Sequence, residues 1–543
     1  MRQAIFLHIF LGTLVCLSGF YVNAEDPYLY YTWTVTYGTI SPLGYPQKGI
    51  LINGQFPGPT IDCVTNNNIV VNVINKLDEP FLITWNGVKQ RKTSWQDGVL
   101  GTNCPIPPNT NWTYKFQTKD QIGTFTYFPS TGLHRFAGGF GAFNIAQRSV
   151  ISIPYPKFDG EFNLLIGDWF KADPKTLQNR LDKGYSYLPF PEALLINGLP
   201  DGRAVFTGEK GKTYKFRVSN VGTETSINFR IQGHVMTLVE VEGAHSLQEV
   251  YESFDIHVGQ SAAFLVTLNG SVKDYFIVAN SRFTKKVLTT TAILSYAGSQ
   301  SRAQGPLPVG PSTRDIHWSM KQARTVRLNL TANAARPNPQ GSFHYGTIPI
   351  VRTIVLANSE TRIGGKLRYA VNGISYVDPE TPLKLADWFG IPGVFSLNTI
   401  KDTPTPGRPA VYGASVIGTT LHDFVEIVFQ NNESKLQSWH LDGYSSYIVG
   451  YGLKQQWTAD MRKRYNLADG IPRHTIQVFP KSWTAILVSL DNKGMWNLRS
   501  AIWSRRYLGQ QLYVRVWNNE HSLFTENDIP QNAILCGQAK KSS

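Results

Sequence analysis

The residues with the clearest chemical meaning lie near the C-terminus, in the stretch from Trp496 to Gln511. This stretch has the layout of a β-hairpin, with a strand end, a short helical turn and a glycine before a returning strand. A metal-binding hairpin would carry histidine, cysteine and methionine at its turn. Its side chains are instead those of Arg499, Ser500, Ala501, Arg505 and Gln510. An arginine stays protonated and offers no lone pair to a metal, so two of these positions exclude ligation.

Other catalytic patterns are weaker. The run Gly138 to Gly141 lacks the strand-to-helix context of a dinucleotide-binding loop, and a tight turn explains it better. The sequence contains no Gly-x-Ser-x-Gly motif, no zinc-type spacing and no His-x-His pair. Most of the histidines are too dispersed to suggest a cluster, namely His134, His234, His245, His257, His317, His344, His422, His474 and His521.

The elements that must position these residues are strands. Short runs of alternating apolar and polar residues, separated by Gly, Pro and Asn, dominate the chain, as in 69–74, 214–218 and 424–429. Helical periodicity is confined to two short candidates, 174–183 and 459–467. The pattern predicts an all-β protein.

A weak internal repeat divides the chain into three parts. Ile52-Asn53-Gly54 recurs as Ile196-Asn197-Gly198 and as Val371-Asn372-Gly373, and each copy is followed by a strand that ends at an asparagine (Asn75, Asn220 and Asn431). We predict three related β-sandwich domains at 25–150, 151–310 and 311–543. The Gly- and Pro-rich stretch 298–311 is the clearest linker.

The N-terminus and four sequons predict secretion. Residues 1–24 combine a positive start, an apolar run and a small-residue cleavage site, which is typical of a signal peptide. No membrane span and no lipid-anchor signal is expected in the remaining chain. The predicted glycosylation sites are Asn111, Asn269, Asn329 and Asn432.

Charge and cysteine content suggest partners and a covalent link. The net charge of +14 favours acidic surfaces such as acidic polysaccharides, although ordinary surface solubility also explains it. Scattered Lys and Arg argue against nucleic acid. Cys16 leaves with the leader, and the positions of the other three cysteines favour a Cys104–Cys536 disulfide with Cys63 as a buried free thiol.

Three local motifs make a resemblance specific. Residues 51–60 (Leu-Ile-Asn-Gly-Gln-Phe-Pro-Gly-Pro-Thr), 123–127 with 135–141, and Trp439-His-Leu with 449–452 resemble the multicopper oxidases. The resemblance covers nearly the whole mature chain and is strongest to the plant SKU-similar group within the ascorbate-oxidase and laccase branch. It implies three tandem cupredoxin-like Greek-key domains, with copper as the family's cofactor.

The resemblance also shows what stands at the family's copper-ligand positions. In the mononuclear site these are Gln437, Ser500, Arg505 and Gln510, and elsewhere Thr84, Asn86, Phe128, Ser130, His440, Asp442, Arg499 and Ala501. Only His440 is retained, and a histidine hydrogen-bonded to its neighbours explains it better than a metal ligand. We therefore expect no cofactor and no metal site.

Two hypotheses concern the arginines. The resemblance places Ser130, Asp442 and Arg499 around one former metal position, so we expect Arg499 to pair with Asp442 and to hold the first domain against the third. Alternatively, Arg499, Arg505 and Arg506 form an anion pocket for a carboxylate or sugar acid.

The resemblance implies a role in the apoplast. We expect a secreted glycoprotein without oxidase chemistry that acts in the plant cell wall, in pollen-tube or other directional growth, by binding an acidic wall polysaccharide or a wall protein. Whether it is an enzyme stays open. The alternative is an active extracellular copper oxidoreductase of the ascorbate oxidase or laccase type with atypical copper content.

Overall fold

The structure is a computed structural model that describes residues 26–184, 187–332 and 344–541. The predicted leader, with Cys16, lies outside these ranges. In the described residues, strands form six sheets that make three pairs, which confirms the all-β prediction. No helix in these ranges is long and apolar enough to cross a membrane.

The first pair of sheets lies between residues 28 and 146. Its strands are β1 (Tyr28–Ile40), β2 (Gln47–Ile52), β3 (Ile61–Val64), β4 (Asn68–Asn75), β5 (Ile83–Asn86), β6 (Asn111–Gln117), β7 (Gly123–Pro129) and β8 (Gly141–Ala146). One sheet has the order β2-β1-β4-β6 and the other β3-β8-β7-β5. Strands β1 and β4 are parallel neighbours although they are not consecutive, which requires the crossing connections of a Greek key.

The second pair lies between residues 160 and 296. Its strands are β9 (Gly160–Trp169), β10 (Ala193–Ile196), β11 (Val205–Gly208), β12 (Thr213–Asn220), β13 (Ile227–Ile231), β14 (Met236–Val241), β15 (Ala244–His245), β16 (Val250–Tyr251), β17 (Phe254–Ile256), β18 (Ser261–Thr267), β19 (Asp274–Ser281) and β20 (Thr289–Tyr296). Here β9 and β12 are the parallel neighbours, in the same relation as β1 and β4.

The third pair lies between residues 352 and 517. Its strands are β21 (Arg352–Ile363), β22 (Lys366–Val371), β23 (Ile374–Tyr376), β24 (Ser396–Leu397), β25 (Val411–Gly413), β26 (Ser415–Thr420), β27 (Phe424–Asn431), β28 (Gln437–Leu441), β29 (Ser446–Tyr451), β30 (Pro472–Arg473), β31 (Thr475–Val478), β32 (Ser482–Ser489), β33 (Gly494–Ser500) and β34 (Gln511–Trp517). The parallel pair is β21 with β27. The proposed boundaries at residues 150 and 310 stay predictions.

Helices are short and connect the sheets. They are α1 (Pro174–Lys183), α2 (Ile316–Thr325), α3 (Leu383–Phe389) and α4 (Trp503–Tyr507), with 3-10 turns at Ser94–Gln96, His134–Ala137, Tyr345–Thr347, Ala459–Arg464 and Gly537–Lys541. The prediction for 174–183 is confirmed, whereas 459–467 contains only a 3-10 turn.

The repeated asparagines have one structural role in all three domains. Asn53, Asn197 and Asn372 each adopt a positive φ, which asparagine tolerates better than most residues. Each side-chain amide accepts a hydrogen bond from, and donates one to, the backbone of the neighbouring strand, at 2.7–3.0 Å. The repeat therefore marks the turn that closes the same hairpin in each sandwich.

A buried apolar cluster joins the three domains. Phe128 from the first, Leu195 and Val221 from the second, and Trp503 and Leu508 from the third belong to it. The ring of Trp503 meets that of Phe128 edge to face at 5.4 Å. Packing of this kind fixes neighbouring polar side chains in place.

The C-terminal tail returns to the first domain. Cys104 and Cys536 form the predicted disulfide, which is confirmed, across 432 residues of sequence. Cys63 is the buried free thiol among the described cysteines. The disulfide lies in a small apolar cluster with Trp95, Leu385 and Ala539, so the tail is also held by packing.

Candidate functional site

The twelve residues at the former ligand positions are all buried, each at most 4% exposed. In the first domain, β5 and β7 are antiparallel partners and bring Thr84 opposite Phe128. Asn86, at the end of β5, donates a 3.1 Å hydrogen bond to the carbonyl of Gly259 in the second domain. Ser130 donates its hydroxyl hydrogen to the carbonyl of Gly98 at 2.5 Å. Asn86 and Ser130 therefore bond to backbone groups, whereas the Thr84 hydroxyl has no hydrogen-bond partner among the described residues.

In the third domain, β28 lies between β31 and β33, and the central ion pair joins Asp442, just after β28, to Arg499 on β33. His440 is the register partner of Arg499 on β33. The Arg499 guanidinium binds Asp442 through Nη1, and it also donates to Asn497 Oδ1 at 3.3 Å. The structure shows the pair that was expected from the sequence, although Ser130 bonds elsewhere.

A second carboxyl group, that of Asp97, faces this pair from the first domain. Asp97 is 1% exposed, and neither of its carboxyl oxygens has a hydrogen-bond partner among the described residues. Burial, followed by the nearby Asp442 carboxylate, raises the pKa of Asp97 well above its usual range. Burial is the largest single effect on Asp442 and would raise its pKa, but the Arg499 guanidinium and the His440 ring together outweigh it, so the pKa is lowered. The site thus favours one guanidinium, one carboxylate and one neutral carboxyl group.

Two imidazoles lie beside the ion pair. His440 Nε2 is 2.9 Å from Asp442 Oδ1, and its Nδ1 is 2.8 Å from Thr475 Oγ1. The ring of His474 lies 5.1 Å from that of His440. Burial is the main cause that lowers the pKa of both rings, that of His474 to about 3, so both stay neutral. The spacing of His440 and His474 along the sequence does not indicate this contact, which forms only in the folded domain.

The second domain contributes Glu242 to the same region. Its Oε2 accepts a hydrogen bond from the backbone N–H of His474 at 2.6 Å, and its Oε1 accepts one from Arg473 Nε at 3.0 Å. Sequence reasoning missed Asp97, Glu242 and His474. Only the β28–β31 pairing, which sets His440 opposite Thr475, could have indicated His474.

The mononuclear-site positions form one chain of hydrogen bonds. Gln510 Nε2 donates to Gln437 Oε1 at 2.5 Å, and Arg505 Nη1 donates to Gln510 Oε1 at 3.0 Å. Arg505 Nη2 also donates to Glu433 Oε2 at 2.5 Å. Ser500 joins through its backbone N–H, which donates to the carbonyl of Gln510 at 2.9 Å. Arg499 and Arg505 each bind a carboxylate of their own, so neither guanidinium is free for the alternative anion pocket.

This arrangement joins domains. Glu242 of the second domain bonds to Arg473 and His474 of the third, and Asp97 of the first domain faces the Arg499–Asp442 pair without a hydrogen-bond partner among the described residues. The carboxyl, guanidinium and imidazole side chains named here are each at most 5% exposed, so the network is buried. Removing one partner of the Arg499–Asp442 pair would leave the other charge buried and uncompensated.

A solvent-open cavity lies next to the mononuclear-site positions. This first cavity has a volume of about 380 Å³ between the second and third domains, with Arg505 and Ser504 on its lining. Tyr187 and Phe190 line it and are 48% and 43% exposed. The ammonium group of Lys435 lies over the ring of Tyr187, with Nζ 4.7 Å from the ring centroid.

The fold and the buried positions define a class of protein: three tandem Greek-key sandwiches of the cupredoxin type. Multicopper oxidase family models match residues 34–150, 160–299 and 380–522. An L-ascorbate oxidase homolog from Nicotiana tabacum is 51% identical over 98% of this chain and 97% of its own. The chain belongs to the multicopper oxidase family.

Two further comparisons agree. The monocopper oxidase-like protein SKU5 of Arabidopsis thaliana is 48% identical over 97% of this chain and 93% of its own. Among solved structures, Fet3p, a multicopper oxidase that functions in iron import, superposes with a TM-score of 0.76 at 21% identity, covering 90% of each chain. The structural likeness supports the fold.

Family membership corrects one expectation. We expected no cofactor from the sequence, but the matching models and the solved neighbour are multicopper oxidases, so copper is the cofactor that the family implies. The residues at the ligand positions do not fit it. Arg499 places a guanidinium there, and no group of three or more His, Cys, Asp or Glu side chains with metal-binding geometry occurs in the ranges that the structure covers.

Proposed function

We propose that this protein is a secreted glycoprotein of the plant cell wall that acts in directional cell or pollen-tube growth by binding an acidic wall polysaccharide. The predicted leader, the four sequons and the resemblance to the SKU-similar group support secretion to the apoplast. Asn111, Asn269 and Asn432 are exposed and accessible to a glycosyltransferase, whereas Asn329 is half-buried.

The first cavity is the observation that carries the binding proposal. Its lining combines the exposed rings of Tyr187 and Phe190 with the ammonium groups of Lys285 and Lys435. Both lysines are exposed, and neither has an ion-pair partner among the residues that the structure describes. Aromatic faces can stack on sugar rings, and ammonium groups without an ion-pair partner attract carboxylates. The volume suits a small ligand or one segment of a polymer.

A binding measurement tests this proposal. The glycosylated protein would be titrated with polygalacturonate and, as the uncharged control, with the same polymer fully methyl-esterified. We expect binding to the charged polymer alone, weakened by salt and by Lys285→Glu with Lys435→Glu. Arg408→Glu is the matched control, because Arg408 is also exposed and lies outside the cavity. Equal binding of both polymers, or none, would refute the proposal; capture of a wall protein instead would support the other partner class.

A second candidate is a copper-dependent oxidoreductase of the ascorbate oxidase or laccase type. The family membership and the name of the tobacco relative favour it. Oxygen uptake with ascorbate or a phenol, measured together with the copper content of the protein purified from the medium, tests it. Stoichiometric copper with turnover would favour this candidate over the binding role.

A further inference from the structure

A second, larger cavity lies where α2, the helix between the second and third domains, packs on the third domain. Its volume is about 660 Å³. Val326, Ile448 and Ile471 give it apolar walls, and Tyr451 and Trp483 contribute aromatic rings. Neither the family's ligand positions nor the network at the domain junction contributes to its lining.

The charge of this second cavity has one sign. Arg324 and Arg464 line it, and no described Asp or Glu side chain does. Arg324 Nη2 donates to the carbonyl of Tyr451 at 2.9 Å, which holds the guanidinium at the rim and leaves its other N–H groups available. Arg464 ends the 3-10 turn Ala459–Arg464 and has no side-chain partner among the described residues. Two guanidinium groups in this setting fit a carboxylate.

The two cavities lie on either side of one apolar cluster. Leu436 and Phe283 line the first cavity, Tyr451 and Leu453 line the second, and all four belong to the same cluster. The cavities are therefore neighbours across this cluster: the first lies between the second and third domains, and the second lies between α2 and the third domain. A linear ligand with repeated carboxylates could reach both.

We propose that the second cavity is a further binding site for carboxylate-bearing sugar residues, so that one acidic polymer chain occupies both cavities. This inference rests on the proposed function and names a second contact for the same ligand. Two linked contacts make the second binding step intramolecular, which raises the affinity for long chains by about 10²–10⁴-fold over that for short ones.

Calorimetric titration with galacturonate oligomers, from short to long, tests the inference. The variant carries Arg324→Gln and Arg464→Gln, and a second variant, Ala323→Trp, blocks the same cavity without changing the charge. Arg408→Gln is the matched control. We expect native protein and control to bind two short oligomers, and both variants to bind one. For long oligomers each lost arginine should weaken binding about tenfold.

The outcomes separate this inference from the proposed function. If native protein binds a single short oligomer, and the two variants bind long oligomers as tightly as the Arg408→Gln control, the second cavity is not a site while the first can still be one. If native protein binds no oligomer of any length, both proposals fail. Thermal unfolding of each variant verifies that it is folded.

Discussion

Replacing Arg499 by methionine should destabilise the third domain at the place where Asp97 of the first domain faces it. The substitution keeps much of the apolar stem but leaves the Asp442 carboxylate buried, 3% exposed, beside the carboxyl group of Asp97. Breaking a buried ion pair by removing one partner costs about 3–5 kcal/mol. For a unit of the third domain's size, this corresponds to a fall in unfolding temperature of roughly 6–20 °C.

Differential scanning calorimetry measures the effect, and the chain offers a matched control. Lys463 and Asp460 form an exposed ion pair at 3.0 Å, with both side chains 81% exposed. Lys463→Met should shift the transition by roughly a degree or less. The double variant Arg499→Met with Asp442→Asn should recover much of the loss, because it removes the stranded charge.

The pH dependence gives an independent check. Without Arg499, burial would raise the folded-state pKa of Asp442 above its unfolded value. Between these two pKa values the folded state would keep a proton that the unfolded state releases. The loss in free energy of unfolding that the Arg499→Met variant shows relative to the native protein should therefore grow as pH rises above about 4. Equal shifts for Arg499→Met and Lys463→Met, or a deficit that does not change with pH, would refute the role assigned to the pair.

Two further predictions concern the same scaffold. Asp97 has a raised folded-state pKa, so its contribution to stability falls as pH rises above about 4. Asp97→Asn should remove that decline and stabilise the protein at neutral pH. Unfolding midpoints across a pH series measure the effect. An Asp97→Asn variant that loses as much stability with rising pH as the native protein does would contradict this. Replacing Cys104 and Cys536 by serine opens a loop of 432 residues, which should lower the free energy of unfolding by up to about 5 kcal/mol and expose the C-terminal tail to proteases. The control Cys63→Ser should leave the tail protected. Equal proteolysis of the two variants would contradict this.

The fold was largely predictable because its signals are local. Alternating apolar runs fix the strands, and the recurring asparagine at a positive φ marks one turn in each domain. Helix α2 was missed. Its N-cap is present in the sequence, since Asp315 accepts a hydrogen bond from the N–H of Trp318, but it follows a Gly- and Pro-rich linker and buries only a few residues. Such a helix depends on tertiary packing more than on its own periodicity.

The site was predictable only in part. The family pattern indicated which positions had changed, and opposite charges suggested the Arg499–Asp442 pair. Asp97, Glu242 and His474 come from other strands and loops, and Glu242 meets Arg473 across 231 residues of sequence. No local pattern contains such contacts. The first cavity likewise exists only once the second and third domains are packed.

Binding to an acidic polymer is the most direct test of the proposed role. The protein secreted from plant cells would be titrated with polygalacturonate at low and at physiological salt, beside the Lys285→Glu, Lys435→Glu variant and the Arg408→Glu control. The account predicts saturable binding that salt weakens, that the cavity variant loses and that the control keeps. Binding that is absent, or that falls equally in both variants, would contradict it.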